Sequence, residues 1–114
     1  MTDVDPRNRA KQIAQARGLG GMANDTKWRE FFSQVIAQHI PVEVKLLHEA
    51  LPLQCRCVWS PVANYIEGTA MGPYLFIYIE WIRSNEATKI QSAAATAGLE
   101  CQVQDGIATV YGYR

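Results

Sequence analysis

Cys55 and Cys57 stand one residue apart in a stretch whose alternation reads as a β-strand, so both sulfurs would leave the same face. Thiolates are good ligands for soft metals. Zinc ribbons, however, use the wider C-x-x-C spacing in turns, and two such pairs. Here there is one pair, with His39 and His48 as the nearby imidazoles. Small cysteines are common in protein cores, and the pair reads as packing, with neither metal nor cofactor expected. Imidazole titrates near neutrality, which makes either histidine a conceivable general base. No Gly-framed serine, HExxH or HxE…CxxC pattern accompanies them, so no catalytic residue is assigned. The glycines of GLGG at residues 18–21 are not a phosphate loop either, because no strand precedes them and no Gly-Lys-Ser/Thr follows.

Glu80 is the acidic residue that breaks its own surroundings. The segment Tyr74 to Arg83 reads as a single strand with Leu75, Ile77, Ile79 and Trp81 on one face. Glu80 shares the other face with Tyr74, Phe76, Tyr78 and Ile82. A carboxylate there must reach solvent, carry a raised pKa, or pair with a cation such as Arg56, Arg83 or Arg114. An ion pair or a strand-edge position explains it structurally, and a binding hot spot or an acid explains it functionally. A strand apolar on both faces belongs in the middle of a sheet.

The elements that would position these residues follow from periodicity. Residues 6–17 tolerate helix, but their apolar face is only Ala10, Ile13 and Ala14, followed by Gly18, Gly20 and Gly21. Residues 1–23 therefore read as a flexible N-terminal arm with a weak helix. From Thr26 to His39 an apolar stripe of Trp28, Phe31, Phe32, Val35, Ile36 and His39 marks the first solid helix, capped by Asn24, Asp25 or Thr26 and ended by Pro41. Val42, Val44 and Leu46 alternate as a strand, and Cys55, Cys57 and Trp59 as a second. Residues 60–73 form a long connection with a short strand around Tyr65 to Glu67. A second helix begins after Ser84 or Asn85 and stops at Gly98. Asp105-Gly106 then signals a two-residue hairpin turn, placing Val103 opposite Ala108, Cys101 opposite Val110 and Glu100 opposite Tyr111. Its second face is polar and carries the phenols of Tyr111 and Tyr113. The fold class is α+β: a mostly antiparallel sheet of about five strands with two main helices on one face, in one domain over residues 24–114.

Composition narrows the function. With 114 residues, 48% of them apolar, the chain fits one domain with its own core. Eleven basic and eleven acidic residues cancel, so no global field draws the protein to nucleic acid or to a membrane. Beneath that balance the first 29 residues are slightly basic, and from residue 30 onward eight acids face five bases. The start lacks an apolar signal core and three cysteines suit no disulfide framework, which reads as a cytoplasmic protein with reduced thiols.

Asn24-Asp25-Thr26-Lys27-Trp28, Val42 to Leu47, Gly72-Pro73, Ile79-Glu80-Trp81-Ile82 and Val110-Tyr111-Gly112-Tyr113 together resemble an uncharacterised family of small bacterial proteins. The resemblance covers residues 24–114, and it implies a fold pattern and no chemistry. Small bacterial α+β domains of this type often look like toxin-neutralising immunity proteins, by analogy only. The expectation is a non-enzymatic protein-binding domain, of immunity or antitoxin type, with a protein partner met by Glu80, Tyr78, Tyr111 and Tyr113. Two alternatives stand beside it. One is a small enzyme or ligand binder centred on Glu80 with Tyr78 or His48. The other is a nucleic-acid accessory using the basic arm, a weak claim because no aromatic residues are interleaved with its charges.

Overall fold

The computed structural model describes residues 5–114. Three helices, α1 (Pro6–Ala16), α2 (Asp25–Ala37) and α3 (Ala87–Ala97), accompany eight strands. Strands β1 (Val42–Leu46), β2 (Leu53–Cys55), β6 (Ile79–Ser84), β7 (Cys101–Gln104) and β8 (Ile107–Tyr111) form a five-stranded sheet in the order β2-β1-β6-β8-β7. Strands β3 (Val58–Trp59), β4 (Tyr65–Gly68) and β5 (Met71–Leu75) form a second, three-stranded sheet. Every pairing in both sheets is antiparallel. The α+β class, with helices on the five-stranded sheet, is as the sequence indicates.

One cluster of apolar side chains holds these layers together. Trp28, Phe31, Phe32 and Val35 of α2 meet Ile90, Ala93, Ala94 and Ala97 of α3. Beneath them lie Val42, Val44, Leu46, Ile82, Ala108 and Val110 of the large sheet. Phe32 is 1% exposed and stacks between Trp28 and Phe76, with ring centroids 5.5 Å away on each side. Small residues on α3 bring it close to the sheet, as its alanine-rich face suggests. Gly112 permits another close approach: a Cβ there would lie 2.2 Å from the Ile79 carbonyl oxygen and 2.9 Å from the Trp28 ring.

All three helices end by one device. Leu19, Ile40 and Leu99 donate their N–H groups to the carbonyls of Ala14, Val35 and Ala94, five residues back. In each case the preceding residue is left-handed, with φ of 70° at Gly18, 52° at His39 and 73° at Gly98. This pattern caps carbonyls that the helix leaves without partners. His39 is therefore an exposed end residue and not part of the apolar stripe, and α2 stops at Ala37, before Pro41 can act on it. A non-glycine residue at this position hid the stop signal.

Two strand readings change. The alternation from Gln54 to Trp59 is not one strand, because the chain leaves the large sheet after Cys55 and joins the small one at Val58. The segment Tyr74 to Arg83 is likewise broken by a 3₁₀ turn at Phe76–Tyr78, which passes the chain from the small sheet back to the large one. The alternation continues through both junctions because buried residues flank or occupy them, Cys55 and Val58 at the first and Phe76 and Ile79 at the second. Strand β6 does occupy the centre of the large sheet.

Residues 5–23, which make up most of the segment read as an arm, lie against the body. Asp5 caps α1 by accepting from the Arg7 N–H at 2.9 Å, with Pro6 in the first turn. Ala10 and Ala14 are buried, and α1 approaches the 3₁₀ turn. Gly20 exchanges two backbone hydrogen bonds with Arg114, and the Met22 N–H donates to the Gly112 carbonyl. Residues 1–4 lie outside the described part of the chain.

Candidate functional site

Strand β6 carries a bulge, and the bulge sets Glu80 in place. Lys45 pairs with Trp81 but Leu46 pairs with Ile79, so β6 advances two residues while β1 advances one. The extra residue is Glu80, a local kink of the kind that re-aims a side chain. Its carbonyl accepts from the N–H groups of both Gly112, at 2.8 Å, and Tyr113, at 3.1 Å. The phase change puts Ile79 with Ile82 on the covered face, although strict alternation had placed them on opposite faces.

The Glu80 carboxylate is 8% exposed as a residue and fully engaged. Arg17, at the end of α1, grips it with two nitrogens at 2.6 and 3.1 Å, and the Lys45 ammonium lies 3.1 Å from Oε1. Arg17 also donates to the Leu47 carbonyl, and Lys45 to the Leu46 carbonyl. Burial pushes the Glu80 carboxyl up, but the hydrogen bonds and charges of Arg17 and Lys45 outweigh it and hold the group below its usual range. On Arg17 the hydrogen bond to Glu80 works in the same sense, raising its pKa against a smaller opposing effect of burial. The cations named from sequence were Arg56, Arg83 and Arg114, whereas the two that bind Glu80 are Arg17 and Lys45.

The remaining residues expected at a site divide into two places. Tyr78 packs edge-on against His48, 5.0 Å between centroids, and Tyr74 lies tilted against the same imidazole at 5.6 Å. Tyr113 donates its hydroxyl to the Ile77 carbonyl at 2.7 Å, and burial raises its pKa. It lines a cleft of ≈ 570 Å³ beside α1 with Ala14, Leu19 and Ile77. Tyr111 lies elsewhere, on the face of the large sheet that turns away from α2 and α3. Cys55 is buried and Cys57 half-buried, both free thiols, and burial pushes Cys55 up. Among the described residues no three His, Cys, Asp or Glu side chains converge in a way that could hold a metal ion.

That outer sheet face is a grid fixed by register. One row runs Lys45, Trp81, Tyr111 across β1, β6 and β8. The next runs Gln54, Glu43, Arg83, Thr109, Gln102 across all five strands. The Arg83 guanidinium stacks 4.1 Å over Trp81, and that of Arg114 stacks 4.6 Å over Tyr111. Arg83 is steadied by Thr109 at 3.2 Å and Arg114 by Glu100. The Tyr111 hydroxyl donates to Gln102 at 3.2 Å. Each ring thus lies under an arginine, in a cation–π contact. Sequence reasoning found Tyr111 but missed Trp81 and both arginines as members of one patch. For Trp81 and Arg83 the signal was a parity shared with Tyr111 along paired strands, whereas Arg114 lies beyond the end of β8.

These features define an α+β protein with one covered and one open sheet face. Comparison with protein-family models, with curated proteins and with solved structures gives no match.

Proposed function

We propose that the chain is a protein-binding domain and that the open face of the five-stranded sheet is its contact surface. The observation that carries this reading is the pair Trp81 and Tyr111, opposed in register and each lying under an arginine. Tryptophan, tyrosine and arginine are the residue types in which binding energy concentrates at protein interfaces. Held in place by stacking, they lose little further freedom on binding. In this reading Tyr111 touches the partner, while Glu80 acts through Lys45 and Arg17, fixing the corner of the face. An inhibitor of immunity or antitoxin type, covering its partner's own functional site, is the form of the proposal that the sequence suggests.

The test is affinity capture from the native source with the parent protein and with the double variant Trp81→Ser/Tyr111→Ser, followed by titration of each recovered protein. The expected result is a partner whose affinity falls at least tenfold in the variant, about 1.4 kcal/mol or more. Equal binding by both proteins would remove the open face from the proposal.

A further inference from the structure

The charges of the body are sorted by face. From residue 30 onward the chain has five basic residues and eight acidic ones. Four of those bases, Lys45, Arg56, Arg83 and Arg114, stand on the open sheet face or its rim, leaving only Lys89, which pairs with Glu86 on α3. Of the acids only Glu43, Glu80 and Glu100 belong to that face, and Glu80 is already held by Arg17 as well as Lys45. That face thus carries four bases against three acids, whereas the rest of the chain from residue 30 onward carries one base against five acids.

The face also has an opening at one end. Beside the last residue of β2 lies a cleft of ≈ 380 Å³ whose walls include Glu43, Gln54, Arg56, Arg83, Asn85 and Ile107. Arg56 makes no ion pair among the described residues, and the Arg83–Glu43 contact is long, at 3.9 Å. Two guanidinium groups with donor capacity to spare thus meet at one cleft. A guanidinium binds carboxylate through two parallel N–H bonds, so the site suits that group best.

We infer that the open face takes an acidic polypeptide segment, with a side-chain carboxylate seated at Arg56 and Arg83 and further carboxylates towards Arg114. This rests on the proposed contact surface and names the chemistry of its partner. The cations here are discrete and alternate with Glu43 and Glu100. Discrete carboxylates on a peptide can pair with the cations and avoid those acids. The continuous charge of a nucleic-acid backbone would meet those acids. Gln54 and Gln102 offer amide groups that can bond peptide backbone between the charges.

The inference is tested by fluorescence anisotropy with the full chain and three labelled probes at low salt. These are a capped decapeptide with glutamate at alternate positions, the same peptide with glutamine in those places, and a single-stranded oligothymidylate. The glutamate peptide is expected to bind at least tenfold more tightly than either of the others. Arg56→Glu is expected to abolish that advantage with an unchanged circular dichroism spectrum, and Lys89→Glu on α3 to leave it intact. Arg83→Gln gives a second, milder variant with the same expected direction. Equal binding of the two peptides, tighter binding of the oligonucleotide, or an Arg56→Glu protein that binds as the parent does would each overturn the inference. A captured partner that needs Trp81 and Tyr111 but ignores Arg56→Glu would overturn this inference alone and leave the contact surface standing.

Discussion

On one face of the five-stranded sheet Val44, Leu46, Ile82, Ala108 and Val110 are sealed beneath α2 and α3. On the other, their immediate neighbours along the same strands, Lys45, Trp81, Arg83, Thr109 and Tyr111, meet no helix of the core cluster. The backbone, the hydrogen bonds and the twist are common to both faces. What differs is the parity of the residue. The covered face is closed by dispersion and by exclusion of water, whereas the open one is ordered by arginine stacking and side-chain hydrogen bonds that water can contest. Stability is therefore concentrated on one side of a single layer.

Substitutions on the two faces should show that difference, most of all inside the core. Phe32→Ala, between two aromatic rings on the covered side, is expected to lower unfolding free energy by about 3–5 kcal/mol in chemical denaturation. A loss near zero would mean that the ring is not needed to seal that face.

Next in size comes the corner where the faces meet. Glu80→Gln keeps the shape of the side chain but leaves Arg17 and Lys45 without their anion. The expected cost is about 3 kcal/mol, at the low end for breaking a buried pair because the Arg17 side chain is 40% exposed and retains water. Deleting residues 1–22 removes Arg17 together with the backbone bonds to Gly112 and Arg114, and is expected to lower the unfolding midpoint by more than about 5 °C. A truncated protein that melts with the parent would return this segment to the status of a free arm.

The same corner gives a pH signature. The folded pKa of Glu80 lies below that of the free side chain, so the stability it contributes is present at neutral pH and lost as pH falls through the folded pKa. Below about pH 4 the parent is expected to lose stability more steeply than Glu80→Gln. Parallel curves in denaturant titrations at a series of pH values would contradict the ion-pair account.

The smallest effect on folding is expected on the open face. Trp81→Ser/Tyr111→Ser is expected to unfold within about 1 kcal/mol of the parent while changing partner binding, since these rings close no core. A loss comparable to Phe32→Ala would show that the two faces share the stabilising load and sink the contrast drawn between them.

The amino-acid sequence by itself determined what depends on near neighbours. Asp105 and Gly106 both adopt positive φ, 53° and 76°, and their turn aligns Val103 with Ala108 and Cys101 with Val110, as a tight two-residue turn dictates. The aromatic stripe of α2, the alternation of β1 and the left-handed Gly98 are legible for the same local reason. Only the tertiary structure decided matters that depend on distant partners. Arg17 lies 63 positions from Glu80, and no periodicity connects an ion pair across that span. The bulge at Glu80 shifts which residues share a face, and apolar burial at Phe76 and Val58 disguises the points where the chain changes sheets. The open face exists because α2 and α3 both dock on the opposite side. That choice is made by the packing of the whole chain, beyond the reach of any single strand's pattern.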